Sequence, residues 1–243
     1  MSVQAKRRAD YQPPAFSIAT VDLHITLHPT ETKVVSTLAI ARNGAHNAPL
    51  VLDGDGLELN AIAVNGEALS EEFYTLGDNT LSINSELDTF ELVITTTIAP
   101  EHNKALEGLY LSGGAYCTQC EAEGFRRITY FMDRPDVLSV YTVTVVADKS
   151  IPMLLANGNP VDKGDIGASS HFVKWHDPHP KPCYLFALVA GDFDLLTDSY
   201  TTSSGKEVAL ELYVDKGKKS QGGFALESLK RAMKWDEDVF GLE

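Results

Sequence analysis

Between residues 20 and 29 the chain reads TVDLHITLHP, with Val21, Leu23, Ile25 and Leu27 alternating with Asp22, His24, Thr26 and His28. A period of two marks a strand with one face in a core and the other in water. KVVSTLAIAR, LELNAIAVNG, NTLSINS and FELVITTTIAP follow, separated by Asn-Gly, Asp-Gly and Gly-Asp turn signals. Strand patterning resumes with LSVYTVTVVAD (138–148), HFVKWHD (171–177) and CYLFALVAGDF (183–193). Short strands broken by frequent turns predict a mainly β protein, a large antiparallel curved sheet or β-sandwich. The NGN at 157–159 and the DRPD at 133–136 read as turns.

Near Phe193 the pattern changes. ALELYVD (209–215) is one more strand, and KGKKSQGG is a polar, glycine-containing loop. From Phe224 onward, Ala225, Leu229, Ala232, Met233 and Phe240 fall at helical spacing. Two parts are therefore predicted: an amino-terminal β domain over residues 1–192 and a short α+β segment over 193–243. A strand and a single amphipathic helix bury too little apolar surface to stand alone. The second part is expected to be the start of a domain that is cut off at Glu243.

Charge and composition narrow the partners. The chain carries 34 acidic and 20 basic residues, a formal charge of −14. That balance argues against nucleic acid, whose phosphates need clustered Lys and Arg. The longest apolar run, Cys183–Ala190, is far short of the ~20 residues of a membrane span. MSVQAKRRADYQPPAF at the amino terminus has basic residues but no apolar stretch behind them, so it does not read as a secretory signal. Three cysteines fit a reducing compartment better than a disulfide framework. A soluble cytoplasmic protein with no membrane partner is expected.

Candidate chemistry concentrates in YCTQCEAEGF, residues 116–125. Cys117-x-x-Cys120 is half a zinc site, and HDPHPKPC supplies His176, His179 and Cys183 as possible further ligands. The three prolines there predict an extended loop. A redox C-x-x-C belongs at a helix N-terminus, where the dipole lowers a thiol pKa, whereas this pair is expected in a glycine-rich loop between strands. The bland alternative is that the cysteines pack as small apolar residues. Glu121 and Glu123 lie two apart, which aims both one way if the piece is extended. Ionised carboxylates accept but do not donate, which suits an ammonium group; the alternative is a solvated pair answered by Arg126 and Arg127. His24 and His28 on the polar strand face read as solvated. No H-E-x-x-H, G-x-S-x-G, Walker loop or G-x-G-x-x-G occurs.

Several longer words occur in a distinctive order: ALEGLYLSGGAYCTQCEAEGFRRITYFMDRPDVLSVYTVTVVADKS, LLANGNPV, KWHDPHPKPCYLFALVAGDFD and KEVALELYVD. Together they resemble the N-terminal region of the bacterial-type aminopeptidase N family, zinc metallopeptidases with a thermolysin-like catalytic domain. The resemblance runs from about Tyr11 to Glu243 and is dense from Ala105. His179 departs from it, standing where an aromatic residue is expected. By this resemblance an N-terminal β domain lends the catalytic domain a loop carrying TQCEAEG, here Thr118–Gly124. Gln119 would line the pocket for the substrate's first side chain, and Glu121 would hold the free α-amino group. The resemblance also implies that the cysteines are bystanders and that residues 193–243 open the catalytic domain. The zinc ligands and general base would lie beyond Glu243, so this piece would bind no zinc and contain no catalytic residue. Its partners would be peptides with a free N-terminus and the remaining catalytic domain. A stand-alone, non-enzymatic β-sandwich binding module is the competing reading.

Overall fold

The computed structural model describes residues 7–243; residues 1–6, which hold part of the segment read above as no secretory signal, lie outside the described residues. The protein is mainly β. Its largest sheet has eight strands in the order Asn159–Ile166, Ser170–Pro182, Leu138–Asp148, Phe16–Thr26, Thr32–Arg42, Thr89–Ile98, Glu58–Val64 and Glu67–Ala68. The sheet is mixed, because Phe16–Thr26 pairs antiparallel with Thr32–Arg42 but parallel with Leu138–Asp148. A hairpin enforces antiparallel pairing only between chain neighbours, and those two strands are far apart in sequence.

The period-two reading of the first strand holds in the structure. Val21, Leu23, Ile25 and Leu27 are buried, and Asp22, His24, Thr26 and His28 are exposed. Earlier in the strand the buried residues are Phe16 and Ile18, of the opposite parity; a register shift between Ile18 and Val21 absorbs the change. Such a bulge realigns the apolar set with the core instead of flipping it to solvent. Exposed His28 folds back on the following turn, its Nδ1 accepting the Thr30 and Glu31 amides.

Two smaller sheets share this core. One is ordered Met153–Ala156, Leu188–Gly191, Ala115–Gln119, Gly108–Ser112, and the other Leu50–Asp53, Thr80–Ile83, Tyr74–Leu76. Leu50, Leu52, Leu81 and Ile83 join Leu23, Ile25, Val34, Leu38, Leu92 and Ile94 in one continuous apolar cluster. Full burial of each such side chain contributes about 1.5–3 kcal/mol, so this cluster dominates the stability. The predicted proline loop is instead the end of strand Ser170–Pro182. Its register shifts between the Tyr141–Asp177 and Ser139–Lys181 pairs, so residues 178–180 bulge outward. There Pro178 and Pro180 need no ladder hydrogen bond.

The chain divides into two compact units, ending and beginning at Ala190 and Gly191. The second unit holds a hairpin, Phe193–Thr201 with Glu207–Asp215, and the helix Gly223–Phe240, ended by left-handed Gly241. The apolar face singled out in the sequence is left largely open, and the helix packs by another face. Ala225, Leu229, Ala232 and Phe240 are exposed and Met233 is half-buried, whereas Leu226 is buried. Polar bonds fix this choice: Lys230 pairs with Asp198 at 2.5 Å, and Glu237 accepts from the Tyr200 hydroxyl at 2.9 Å. Leu226, Lys230, Met233 and Glu237 recur at helical spacing and form the packed side.

The predicted NGN turn joins Met153–Ala156 to Asn159–Ile166, and Gly158 takes a φ of +84° there. A Cβ at Gly158 would collide with the His176 carbonyl, whereas one at Gly113, with φ +59°, would meet nothing within 4 Å. Gly113→Ala should cost about 1 kcal/mol in urea unfolding, and Gly158→Ala at least about 2 kcal/mol. Equal losses would mean that the close approach at Gly158 is unimportant.

Candidate functional site

Strand Ala115–Gln119 runs directly into the acidic loop, so Cys117 lies in a strand and not in the expected glycine-rich loop. Its upstream end is pinned by Thr118, whose hydroxyl donates to the Leu188 carbonyl at 3.1 Å and accepts the Leu188 amide at 2.8 Å. Residues 121–124 form a turn, not the extended piece that would aim Glu121 and Glu123 alike. The Gly124 amide donates to the Cys120 carbonyl at 2.8 Å and closes this turn. A side chain at Gly124 would stand 2.5 Å from the Gln119 carbonyl oxygen and 3.0 Å from the Gly108 nitrogen. The glycine is thus needed for space. The Glu121–Ala122 peptide bond is cis.

Beneath the turn, apolar residues take over. Phe125 is fully buried, with its ring 5.1 Å from Phe131 and 5.3 Å from Phe186, both edge-on. Ile128, Tyr130, Phe131 and Met132 are buried as well. Edge-to-face aromatic pairs contribute about 0.5–1.5 kcal/mol beyond area burial. An exposed turn therefore rides on a rigid aromatic floor.

The two sequence-predicted site residues come together. Gln119 and Glu121 are both exposed, and the Gln119 side-chain amide donates to the Glu121 carbonyl at 3.1 Å. Among the described residues nothing pairs with the Glu121 carboxylate. Glu123 differs, since it lies 3.4 Å from the Arg126 guanidinium. Arg126 also donates from Nε to Asp133 at 2.9 Å and lies 3.8 Å from Asp53. Burial opposes the Arg126 charge, but the hydrogen bond to Asp133 and the Asp53, Asp133 and Glu123 charges outweigh it and hold its pKa above the ordinary value. Arg127 faces elsewhere, to Asp55 at 2.6 Å and Glu107 at 3.3 Å. The alternative, a solvated pair answered by Arg126 and Arg127, is met only in part: Arg126 takes Glu123, and Glu121 stays open.

Cys120 and Cys183 are buried, and Cys117 is half-buried. Burial pushes the Cys120 thiol up to about 12, with the Asp133 charge adding to the shift. The same two causes raise Cys183, whose thiol donates to Asp133 Oδ1 at 3.0 Å. Such thiols are protonated at neutral pH, the opposite of a metal ligand or redox nucleophile. His176 bonds Thr142 at 3.1 Å, and His179 is exposed. Among the described residues no group of three or more His, Cys, Asp and Glu is arranged to hold a metal ion.

Sequence reasoning does not find the buried cluster in which Asp133 binds both Arg126 and Cys183. In sequence Asp133 reads as a turn residue, yet its side chain is 1% exposed. The available signal was the apolar spacing Phe125, Ile128, Phe131, which leaves Asp133 just behind a buried run. Nearby, Arg134 grips Asp136 through two bonds of 2.9 and 2.7 Å, donates to the Gln12 carbonyl at 2.8 Å, and Tyr11 donates to Asp136 at 3.0 Å. An open cavity of about 930 Å³ adjoins this tie, with Tyr11, Glu123, Asp133, Arg134 and Asp136 in its wall; Glu121 is not part of the wall. No helix is long and apolar enough to cross a membrane among the described residues.

Comparison with known proteins gives a consistent result. The peptidase M1 N-terminal domain matches residues 12–185. The chain is 54% identical to aminopeptidase N of Caulobacter vibrioides and 51% identical to aminopeptidase N of Escherichia coli, in each case over 99% of this chain and 28% of the relative. It superposes on Legionella pneumophila aminopeptidase A, solved in complex with aspartic acid, with a TM-score of 0.92 and 36% identity, over 98% of this chain and 28% of that one. An M1 zinc metallopeptidase from Deinococcus radiodurans shares the fold, with a TM-score of 0.72 at 18% identity, over 89% of this chain and 52% of that one. The chain thus spans about 28% of the length of these curated relatives.

Two outcomes are expected from this geometry. At pH 8 iodoacetamide should modify native Cys117 slowly and Cys120 and Cys183 not measurably, with all three reacting in denaturant; rapid native labelling of Cys120, read by mass spectrometry, would restore the redox reading. The hydrogen bond from Arg134 holds the Asp136 pKa below its ordinary 3.8. A group with a depressed native pKa stabilises the fold above its unfolded value and loses that contribution as pH falls through the native one. The stability gap between the native sequence and Asp136→Asn should therefore be constant from pH 7 to about 5 and shrink below about 4. A gap independent of pH would contradict the pairing.

Proposed function

Because the chain belongs to the peptidase M1 N-terminal domain family, we propose that it is the amino-terminal part of a zinc-dependent aminopeptidase that removes first residues from peptides. Within that enzyme the chain supplies recognition: Glu121 binds the substrate's α-ammonium group, and Gln119 lines the pocket for the first side chain. Two relatives of the same length class as each other, both named aminopeptidase N, support the reading at 54% and 51% identity. One observation carries it. Glu121 is an exposed carboxylate without a partner among the described residues, on a turn whose underside is fixed.

The chemistry follows from what marks a chain end. A free N-terminus differs from an internal peptide bond by a positive group with three donors. An acceptor-only carboxylate discriminates the two, because an acylated amine offers neither the charge nor the extra donors. The α-amino group titrates near 7.7–8.0 in water, and an adjacent carboxylate favours its charged form. Gln119 serves a different purpose. Its amide nitrogen is committed to the Glu121 carbonyl, which leaves the amide oxygen to accept from a substrate.

Zinc in such an enzyme activates water for attack on the peptide carbonyl. The described residues offer no ligand set that fits it, so no step through zinc is assigned to them. The chain read in this way binds and orients, and on its own it hydrolyses nothing. The reading places the enzyme in the cytoplasm.

The test is Glu121→Gln in the complete enzyme, which keeps shape and removes charge. One charge-assisted hydrogen bond contributes about 1.5–3 kcal/mol, so kcat/KM for aminoacyl anilides should fall about ten- to a hundredfold. Turnover equal to the unmodified enzyme would overturn the role of Glu121.

A further inference from the structure

The Glu121 carboxylate is open although the same turn carries a glutamate that a guanidinium reaches. Arg126 already reaches Glu123, two residues along, at 3.4 Å. An arginine that paired with Glu121 would occupy the place proposed for the substrate's ammonium group. What holds it back is inside. Asp133 Oδ2 accepts both the Arg126 amide at 3.2 Å and Arg126 Nε at 2.9 Å, and the Asp133 carbonyl accepts Arg126 Nη2 at 3.3 Å. The other carboxylate oxygen accepts the Cys183 thiol.

We infer that Asp133 is a positioning residue that sequesters the Arg126 guanidinium and so keeps Glu121 free for a cationic ligand. The inference rests on the function proposed above for Glu121. Three observations carry it. First, Asp133 is buried at 1% side-chain exposure, and a buried ion is costly, whereas the neighbouring Phe125, Ile128 and Phe131 meet the needs of packing with apolar groups. Second, every bond from the Arg126 guanidinium to Asp133 leads inward, and Asp53, itself bonded to the Asp133 amide at 3.1 Å, adds a second inner charge 3.8 Å from Arg126. Third, the outer contact to Glu123 is the longer one, 3.4 Å against 2.9 Å. The inner carboxylate is ahead in the competition for a single cation.

This arrangement predicts a rescue that a purely structural residue would not produce. In the complete enzyme, Asp133→Asn keeps the side chain's shape but releases the guanidinium to the outer glutamates. KM for a free-amine anilide should rise about tenfold, the lower end of the effect of one charge-assisted hydrogen bond, with a smaller change in kcat. Adding Arg126→Gln to Asp133→Asn removes the competing cation, and KM should return to within about threefold of the unmodified enzyme. If Asp133 only maintained the fold, the second substitution would add damage, and such a result would overturn the inference. So would an unchanged KM in Asp133→Asn. Where Asp133→Asn does not yield folded protein by circular dichroism, Asp53→Asn replaces it, with a KM rise of about threefold that Arg126→Gln reverses; no rise there counts against the inference equally. Glu121→Gln is measured in parallel. An unaffected Glu121→Gln enzyme removes the underlying function, whereas an impaired one beside an unaffected Asp133→Asn enzyme removes only the role of Asp133.

Discussion

The acidic turn depends on the burial of Phe125. A carboxylate that must stay bare in solvent cannot be held by its own contacts, since any partner would cover it. Its position has to come from the backbone on either side. Upstream, Thr118 bonds reciprocally with Leu188. Downstream, the fully buried Phe125 ring sits against Phe131, Phe186 and, at 6.2 Å, Tyr141. Two residues therefore fix an exposed segment by contacts that never reach its tip. A loop restrained in this way has less conformational entropy to lose when a ligand arrives, which is how pre-organisation raises affinity.

Electrostatics of the loop follow from the same layering. Three carboxylates, Glu123, Asp53 and Asp133, surround the Arg126 guanidinium. The excess is negative, as is the chain as a whole at −14. Clustered carboxylates of one sign on a low-dielectric support raise the local concentration of cations, and salt weakens the effect. Such a surface repels nucleic acid phosphates and favours amines. It does not by itself select a peptide's first residue from a lysine side chain; that discrimination needs geometry at Glu121.

How legible was this in the sequence? The first strand was read correctly because alternation at Val21, Leu23, Ile25 and Leu27 is a purely local property. The strands Leu50–Asp53 and Met153–Ala156 were missed because LVLD and MLLA show no polar–apolar alternation, whereas the equally short Thr80–Ile83, TLSI, does. The helix after Phe224 is legible, and so is the apolar face that one strand and one helix leave open at Leu229 and Phe240; the bonds of Lys230 and Glu237 to the hairpin are not, because they join residues far apart in sequence. At the site, residue chemistry singled out Glu121 and Glu123 and weighed them equally. Nothing local separates them. The difference arises from Arg126, whose partner Asp133 lies seven residues on and beneath the surface. Buried ion pairs are non-local in their consequences, so a one-dimensional reading finds the residue types and misses the assignment.

The cysteines make the same point in reverse. A C-x-x-C spacing is a local signal, and it suggested zinc or redox chemistry. Both chemistries require a thiolate, and a thiolate requires solvent, a positive neighbour or a metal. Cys120 has none of these among the described residues; it is buried, and the charge that reaches it is that of Asp133, which is negative. Cys183 meets the same charge but turns it to use, donating its thiol proton to Asp133. A protonated thiol is a weak donor that an apolar pocket tolerates better than a hydroxyl or an amide, and it completes the hydrogen bonding of a carboxylate that could not otherwise stay buried. The same negative charge that makes these sulfurs unreactive is the one that holds Arg126 inward.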